Sequence, residues 1–259
     1  MIIKNLLITI SCLFILSSCG STGVKKPSNY RSEVLEQVSA SSAEAINVEL
    51  GVGYLKRGQK GDIDIAFGKF KKSILINPKY ALAHSLLANV YDQKGFFNDA
   101  EYHYKLSMKY NNGNTNIINN YANFLCQRGS YDLAVEKYQD IATNPQYETP
   151  SAAYENAGVC SYKANNIIQA DNFFRKALAI NNRQANSLYY LMLINIKNKK
   201  YMKSRAFLQR LEQVVLPSPE MLASGYEIEK SLGNNELAKK YLITLQTKYP
   251  RSESLKNIK

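Results

Sequence analysis

Residues 100–112 read AEYHYKLSMKYNN, and this stretch decides the fold because its pattern is written six times. A small residue opens it, an aromatic follows four positions later (Ala100, Tyr104), another small residue comes three further on, and Asn–Asn closes it. The pattern returns in AFGKFKKSILINP from Ala66, AVEKYQDIATNP from Ala134, ADNFFRKALAINN from Ala170, SRAFLQRLEQVVLP from Ser204 and AKKYLITLQTKYP from Ala238. These openings lie 34, 34, 36, 34 and 34 residues apart, and the large residue four positions on is Phe70, Tyr104, Tyr138, Phe174, Leu208 or Leu242. A fixed period of this length marks a stacked array, in which no single unit can bury its own apolar face.

Upstream of each opening lies a second apolar-periodic stretch: LGVGYLKRG, LANVYDQKG, YANFLCQRG, AGVCSYKANN, LMLINIKNKK and GYEIEKSLG. Apolar or small residues recur at i, i+3, i+4 and i+7, and Gly or Asn–Asn falls where a helix must end in a left-handed residue. Each unit therefore reads as helix A, a short turn and helix B. The spacing resembles the tetratricopeptide repeat, carried by Leu50-Gly51 with Tyr54, Leu87-Ala88 with Tyr91, and Tyr121-Ala122 with Leu125. It departs from that pattern in about three extra residues around Gln59–Asp62, in Ala157-Gly158 followed by Ser161, and in the lack of a helix-A Tyr in units five and six. The expected fold is all-α, a right-handed solenoid over residues 45–259. Its units fall at about 45–78, 79–112, 114–147, 150–182, 184–217 and 218–250, with a C-terminal tail.

The composition, 45% hydrophobic and 21% charged with no Trp and 7 Pro, fits a helical protein better than a Pro-rich disordered chain or a turn-rich sandwich. The net charge of +12 is concentrated late: 13 Lys/Arg face 6 Glu between Lys197 and Lys259. Lys197, Lys199, Lys200 and Lys203 cluster at a helix end and turn, where cations complement the helix dipole; contact with an anionic membrane or an acidic partner is the alternative reading.

The chain opens MIIKNLLITISCLFILSSCG, with one Lys, an apolar run from Leu6 to Leu16 and then small residues. This reads as a secretory signal over residues 1–18, too short for a membrane span. Leu16-Ser17-Ser18-Cys19 resembles the lipobox of bacterial lipoproteins, which implies acylation of Cys19 and cleavage before it. Gly20 in place of Asp implies the outer membrane, with the protein facing the periplasm. Residues 19–44 read as the lipidated N-terminus and a flexible tether. An exported protein meets no nucleic acid, so the charge does not point there.

Chemistry is absent from the motif search. The two His, His84 and His103, sit among packing residues, and no Gly-rich phosphate loop, His-x-x-x-His or Gly-x-Ser-x-Gly occurs. A non-catalytic protein is expected, with no cofactor beyond the lipid, no metal and no small-molecule substrate. The tetratricopeptide resemblance implies that helix A lines a ligand groove. Carried onto this sequence, its positions are Ser85, Asn89, Asp92 and Gln93 in unit two, Asn116, Asn119, Asn123, Cys126 and Gln127 in unit three, and Glu155, Val159, Tyr162 and Lys163 in unit four. This groove is amide-rich and nearly neutral, suited to peptide backbone or polar side chains.

NNYANFLCQRGSYDLA, NPQYETPSAAYENAGVC and FFRKAL further resemble the PilF/PilW proteins of type IV pilus biogenesis and stability. That resemblance implies a pilotin-like outer-membrane lipoprotein, binding a secretin subunit or another pilus-assembly protein and promoting secretin localisation and multimerisation. Alternatives are a tetratricopeptide lipoprotein of outer-membrane β-barrel assembly and an adaptor for peptidoglycan enzymes.

Cys126 and Cys160 fall on the A helices of adjacent units, eight residues before Ala134 and ten before Ala170. Adjacent A helices run roughly parallel, and the two-residue offset is about 3 Å of helix rise. In an oxidising compartment this register favours a Cys126–Cys160 disulfide over two buried thiols.

Overall fold

The computed structural model describes residues 42–258. The signal segment, the lipidation site Cys19 and the tether up to residue 41 lie outside the described residues. Within them are thirteen helices and no strand. The A helices are α1 (Ala43–Arg57), α3 (Ala81–Gln93), α5 (Thr115–Gln127), α7 (Pro150–Lys163), α9 (Ala185–Lys197) and α11 (Pro219–Ser231). The B helices are α2 (Asp62–Ile76), α4 (Phe97–Lys109), α6 (Tyr131–Ala142), α8 (Ile167–Ile180), α10 (Tyr201–Glu212) and α12 (Asn235–Lys248). A short α13 (Glu253–Lys256) follows and packs on α11. The first helix begins at Ala43, inside the stretch expected to be tether, because the Ser42 side chain caps it by accepting from the Ala45 N–H.

Each A helix packs on the B helix that follows it, and each B helix packs on the next A helix. Contacts also join α3 to α5, α5 to α7 and α7 to α9, so successive A helices form a continuous face. Two features explain the repeat. The first is the A–B turn, whose left-handed residue is Gly58, Gly95, Gly129 or Gly233 in four units and Asn165 or Lys199 in the other two. Glycine populates that region without steric cost, and asparagine is the commonest substitute.

The second is a size-matched contact between helix A and helix B. A Cβ on Gly51 would lie 2.4 Å from the Phe70 ring, and one on Gly158 would lie 2.6 Å from the Phe174 ring. Ala88 and Ala122 are buried in one cluster with Tyr104 and Tyr138. The fifth unit departs from this, with two large side chains, Met192 and Leu208, buried in one cluster. The sixth unit corrects the sequence register: the ring over Gly225 belongs to Tyr241, and Leu242 is only half-buried. Burying each such large side chain contributes about 1.5–3 kcal/mol, so these contacts supply much of the cohesion of a unit.

The extra residues of the first unit fold over an ion pair. Asp62 accepts from Arg57 Nε at 2.9 Å and from the Gln59 N–H at 2.8 Å, which closes the lengthened turn without disturbing Gly51 and Phe70.

Candidate partner-binding groove

The face formed by successive A helices carries the residues expected to line a groove, and their roles divide. Ser85 is fully buried and its hydroxyl accepts from Asn120 Nδ2 at 3.1 Å, so it is a strut between α3 and α5 and not a lining residue. Glu155 is also committed internally. Its carboxylate accepts from Asn186 Nδ2 at 3.0 Å, the Ser187 N–H at 3.0 Å and Ser187 Oγ at 2.9 Å, capping the N-terminus of α9 from the neighbouring unit. Asn123 accepts from the Tyr138 hydroxyl at 2.8 Å, and Asn116 donates its backbone N–H to Asn114 Oδ1 at the start of α5. Tyr162 packs against Tyr190 with ring centroids 4.9 Å apart. Gln93, Gln127 and Lys163 are exposed, and Asn89 accepts from Gln93 Nε2.

Among the described residues, two acceptors on this face are shielded and have no hydrogen-bond partner. Asn119 is 8% exposed, and its Oδ1 has no hydrogen-bond partner. One carboxylate oxygen of half-buried Asp92 is in the same condition. Burial raises the Asp92 carboxyl above its ordinary value, and the nearby positive charge of Arg128 opposes the shift. A polar atom withdrawn from solvent without a partner costs roughly 1–3 kcal/mol, so both atoms favour a ligand that brings N–H or O–H donors.

Part of the groove was missed by carrying positions only as far as unit four. The equivalent places on α9, 34 residues after Glu155, Val159 and Tyr162, hold Tyr189, Leu193 and Ile196, all half-buried. The face thus passes from amides to apolar side chains, and the period alone was signal enough to find this.

Cys126 and Cys160 are disulfide-bonded in the structure, linking α5 to α7 with Cα atoms 5.7 Å apart. Both are buried, Cys160 completely. Cys126 is therefore a link between units rather than a free lining side chain.

The two histidines form a hydrogen-bonded pair. His84 Nε2 donates to the Pro78 carbonyl at 3.0 Å, and His84 Nδ1 shares a hydrogen bond with His103 Nδ1 at 2.9 Å. Burial, then the neighbouring His84, lowers the His103 pKa to about 4. Tyr91 and His84 stack on the His103 ring, so the pair ties α3 to α4. Among the described residues no group of three or more His, Cys, Asp or Glu is placed to hold a metal, and no helix is long and apolar enough to cross a membrane.

No protein-family model matches the chain. The chain is homologous to the type IV pilus assembly protein PilF of Pseudomonas aeruginosa, with 24% identity over 237 residues, 92% of this chain and 90% of the relative. Its structure is similar to the crystal structure of PilW, a widely conserved type IV pilus biogenesis factor, with a TM-score of 0.74 and 23% identity over 84% of this chain and 98% of the other. It is similar to the structure of Pseudomonas aeruginosa PilF with a TM-score of 0.73 and 25% identity over 82% and 95%. The fold is thus a stack of tetratricopeptide repeats.

Proposed function

We propose that this protein is a non-catalytic type IV pilus biogenesis factor that binds a partner protein along its A-helix face. In this reading it is held at the outer membrane by acylated Cys19, faces the periplasm, and promotes localisation and multimerisation of secretin subunits. The observation that carries the binding role is the pair of shielded, unpartnered acceptors, Asp92 Oδ1 and Asn119 Oδ1, on a continuous face of stacked A helices. Homology to PilF over nearly the whole chain supports the pilus assignment. No cofactor enters the reading.

The mechanism needs no bond chemistry. A lipid anchor restricts the protein to one membrane, the tether gives reach, and the groove holds a subunit, so local subunit concentration rises and assembly follows by mass action. Cys19→Ala is expected to leave the repeats folded by circular dichroism while the protein leaves the membrane fraction and heat-resistant secretin multimers decline. Normal multimers with a mislocalised protein would refute the proposal. Asn119→Leu tests the groove separately: it is expected to keep the protein at the membrane and to reduce co-purification of the secretin.

A further inference from the structure

The A–B turns of stacked units lie along one edge, because the A helices run parallel and each reverses into its B helix at the same end. In most units this edge is balanced. The first turn of a B helix carries Asp62 and Asp64 on α2, Asp99 on α4, Asp132 on α6 and Glu236 on α12. The first turns of α8 and α10 carry no acid at all. At those two adjacent turns stand Lys163, Lys197, Lys199, Lys200 and Lys203, all exposed and none ion-paired with another described residue. The acids that follow nearby are spoken for: Asp171 by Arg175 and Glu229 by Arg205.

Two further facts separate this patch from a merely solvated face. Lys199 occupies the left-handed position at φ 56° that four other turns give to glycine. A side chain there costs roughly 1–2 kcal/mol relative to a relaxed residue, and a lysine has no short polar group to offset it. Among the lysines stand two large apolar side chains turned to solvent, Ile168 at 88% exposure and Met202 at 64%. The opposite edge is mixed in sign: its B–A loops hold Lys79, Glu148 and Arg183, the last turns of B helices add Lys109, Arg210 and Lys248, and the first turns of α1 and α11 add Glu44 and Glu220.

We propose that the α7–α8 and α9–α10 turns form a docking patch for an anionic phospholipid bilayer. The lysines meet phosphate headgroups, while Ile168 and Met202 enter the boundary between headgroups and acyl chains; long lysine stems let the ammonium groups stay in the headgroup layer as the apolar side chains sink. An acidic polypeptide would satisfy the lysines but leave two apolar side chains without a use, which is why the bilayer is the occupant favoured here. Such a patch fixes the orientation of the repeats on the membrane, a property that an anchor at the end of a tether does not supply.

The test uses the full chain with Cys19→Ala, which removes the acylatable thiol, in flotation with vesicles of phosphatidylcholine or of equal parts phosphatidylcholine and phosphatidylglycerol. The apolar leader adds the same background to every arm. Preferential binding to the anionic vesicles is expected, about fivefold per lysine near the surface, so replacing Lys197, Lys199, Lys200 and Lys203 by Gln should lower that preference by about 600-fold. Lys199→Gly distinguishes charge from folding: it should lose about fivefold in vesicle affinity while melting at a higher temperature, since the turn is relieved. Equal affinity for both vesicle types, or an unchanged preference in the quadruple variant, would overturn the proposal. So would poly-glutamate binding more tightly than the anionic vesicles, which would assign the patch to an acidic polypeptide.

Discussion

The third and fourth helical pairs are joined by a disulfide and the third presents amides along the A face, whereas the fifth and sixth are joined by an ion pair whose carboxylate is buried and the fifth presents apolar side chains there. On the first side stand Cys126–Cys160, Asn119 and Asn123. On the second stand Arg205–Glu229, Tyr189, Leu193 and Ile196. Glu229 is 1% exposed, and it takes the place 34 residues after Asn195 where an earlier unit has Tyr91. The repeat constrains the left-handed turn in every unit and the small-against-large contact in all but the fifth. What joins one unit to the next is free to be covalent, ionic or apolar, and neighbouring parts of one molecule use different solutions.

That distinction can be broken most forcefully at the disulfide. Closing a loop with a sequence separation of 34 residues contributes about 4 kcal/mol in the chain-entropy model. Replacing Cys126 and Cys160 together by Ser should lower stability by about that amount, with amide exchange rising in α5 and α7 while α11 and α12 keep their protection. Equal loosening throughout would mean that the units unfold as one body and that the contrast is only chemical.

The ion pair is next in size. Arg205 Nε reaches Glu229 at 2.7 Å, and Asn234 Nδ2 completes the carboxylate at 3.0 Å. Arg205→Met strands a buried charge and should cost about 3 kcal/mol, centred on α10–α12. Adding Glu229→Leu should restore most of the loss, because the charge is then gone as well. Failure of the second change to rescue the first would mean that Arg205 serves packing rather than charge.

The smallest effect sharpens the comparison from the second pair. His103 is neutral in the fold with a pKa of about 4, while the unfolded chain takes up a proton near the ordinary value of 6.5. Below that value the unfolded state binds more protons, so this contribution is intact above pH 6.5 and is lost as pH falls towards 4. The ring is partly exposed, which screens the effect. Acid titration followed by exchange should loosen α3 and α4 first, and His103→Phe should flatten the response. Acid loosening that begins in α11 and α12 instead would disconnect it from the histidines.

Much of this was legible in residue spacing. The six openings from Ala66 to Ala238 placed every helix pair, because the period is imposed by a contact each unit must make. The register slipped where that contact moved: Gly225 shifts the sixth fit from Leu242 to Tyr241, and a one-residue change of this kind leaves no mark in a list of apolar positions. The groove was less legible, because a polar residue on helix A can face a ligand or a neighbouring helix. Ser85 and Glu155 bond across units, and only the positions of Asn120 and Ser187 reveal it. Asn119 and Asp92 share their register with residues that found internal partners.

The bond between Cys126 and Cys160 also has a mechanical meaning. An array pulled from its ends lengthens by peeling one unit from the next, and each residue freed adds up to about 3.5 Å of chain. With these thiols joined, the intervening 34-residue segment is removed from the extensible length, roughly 110 Å that tension cannot reach without cutting a covalent bond. Under load the flanking units would give way first and α6 with most of α7 would be carried through the pull, whereas Asn119 and Asn123, which precede Cys126, stay in the load-bearing path.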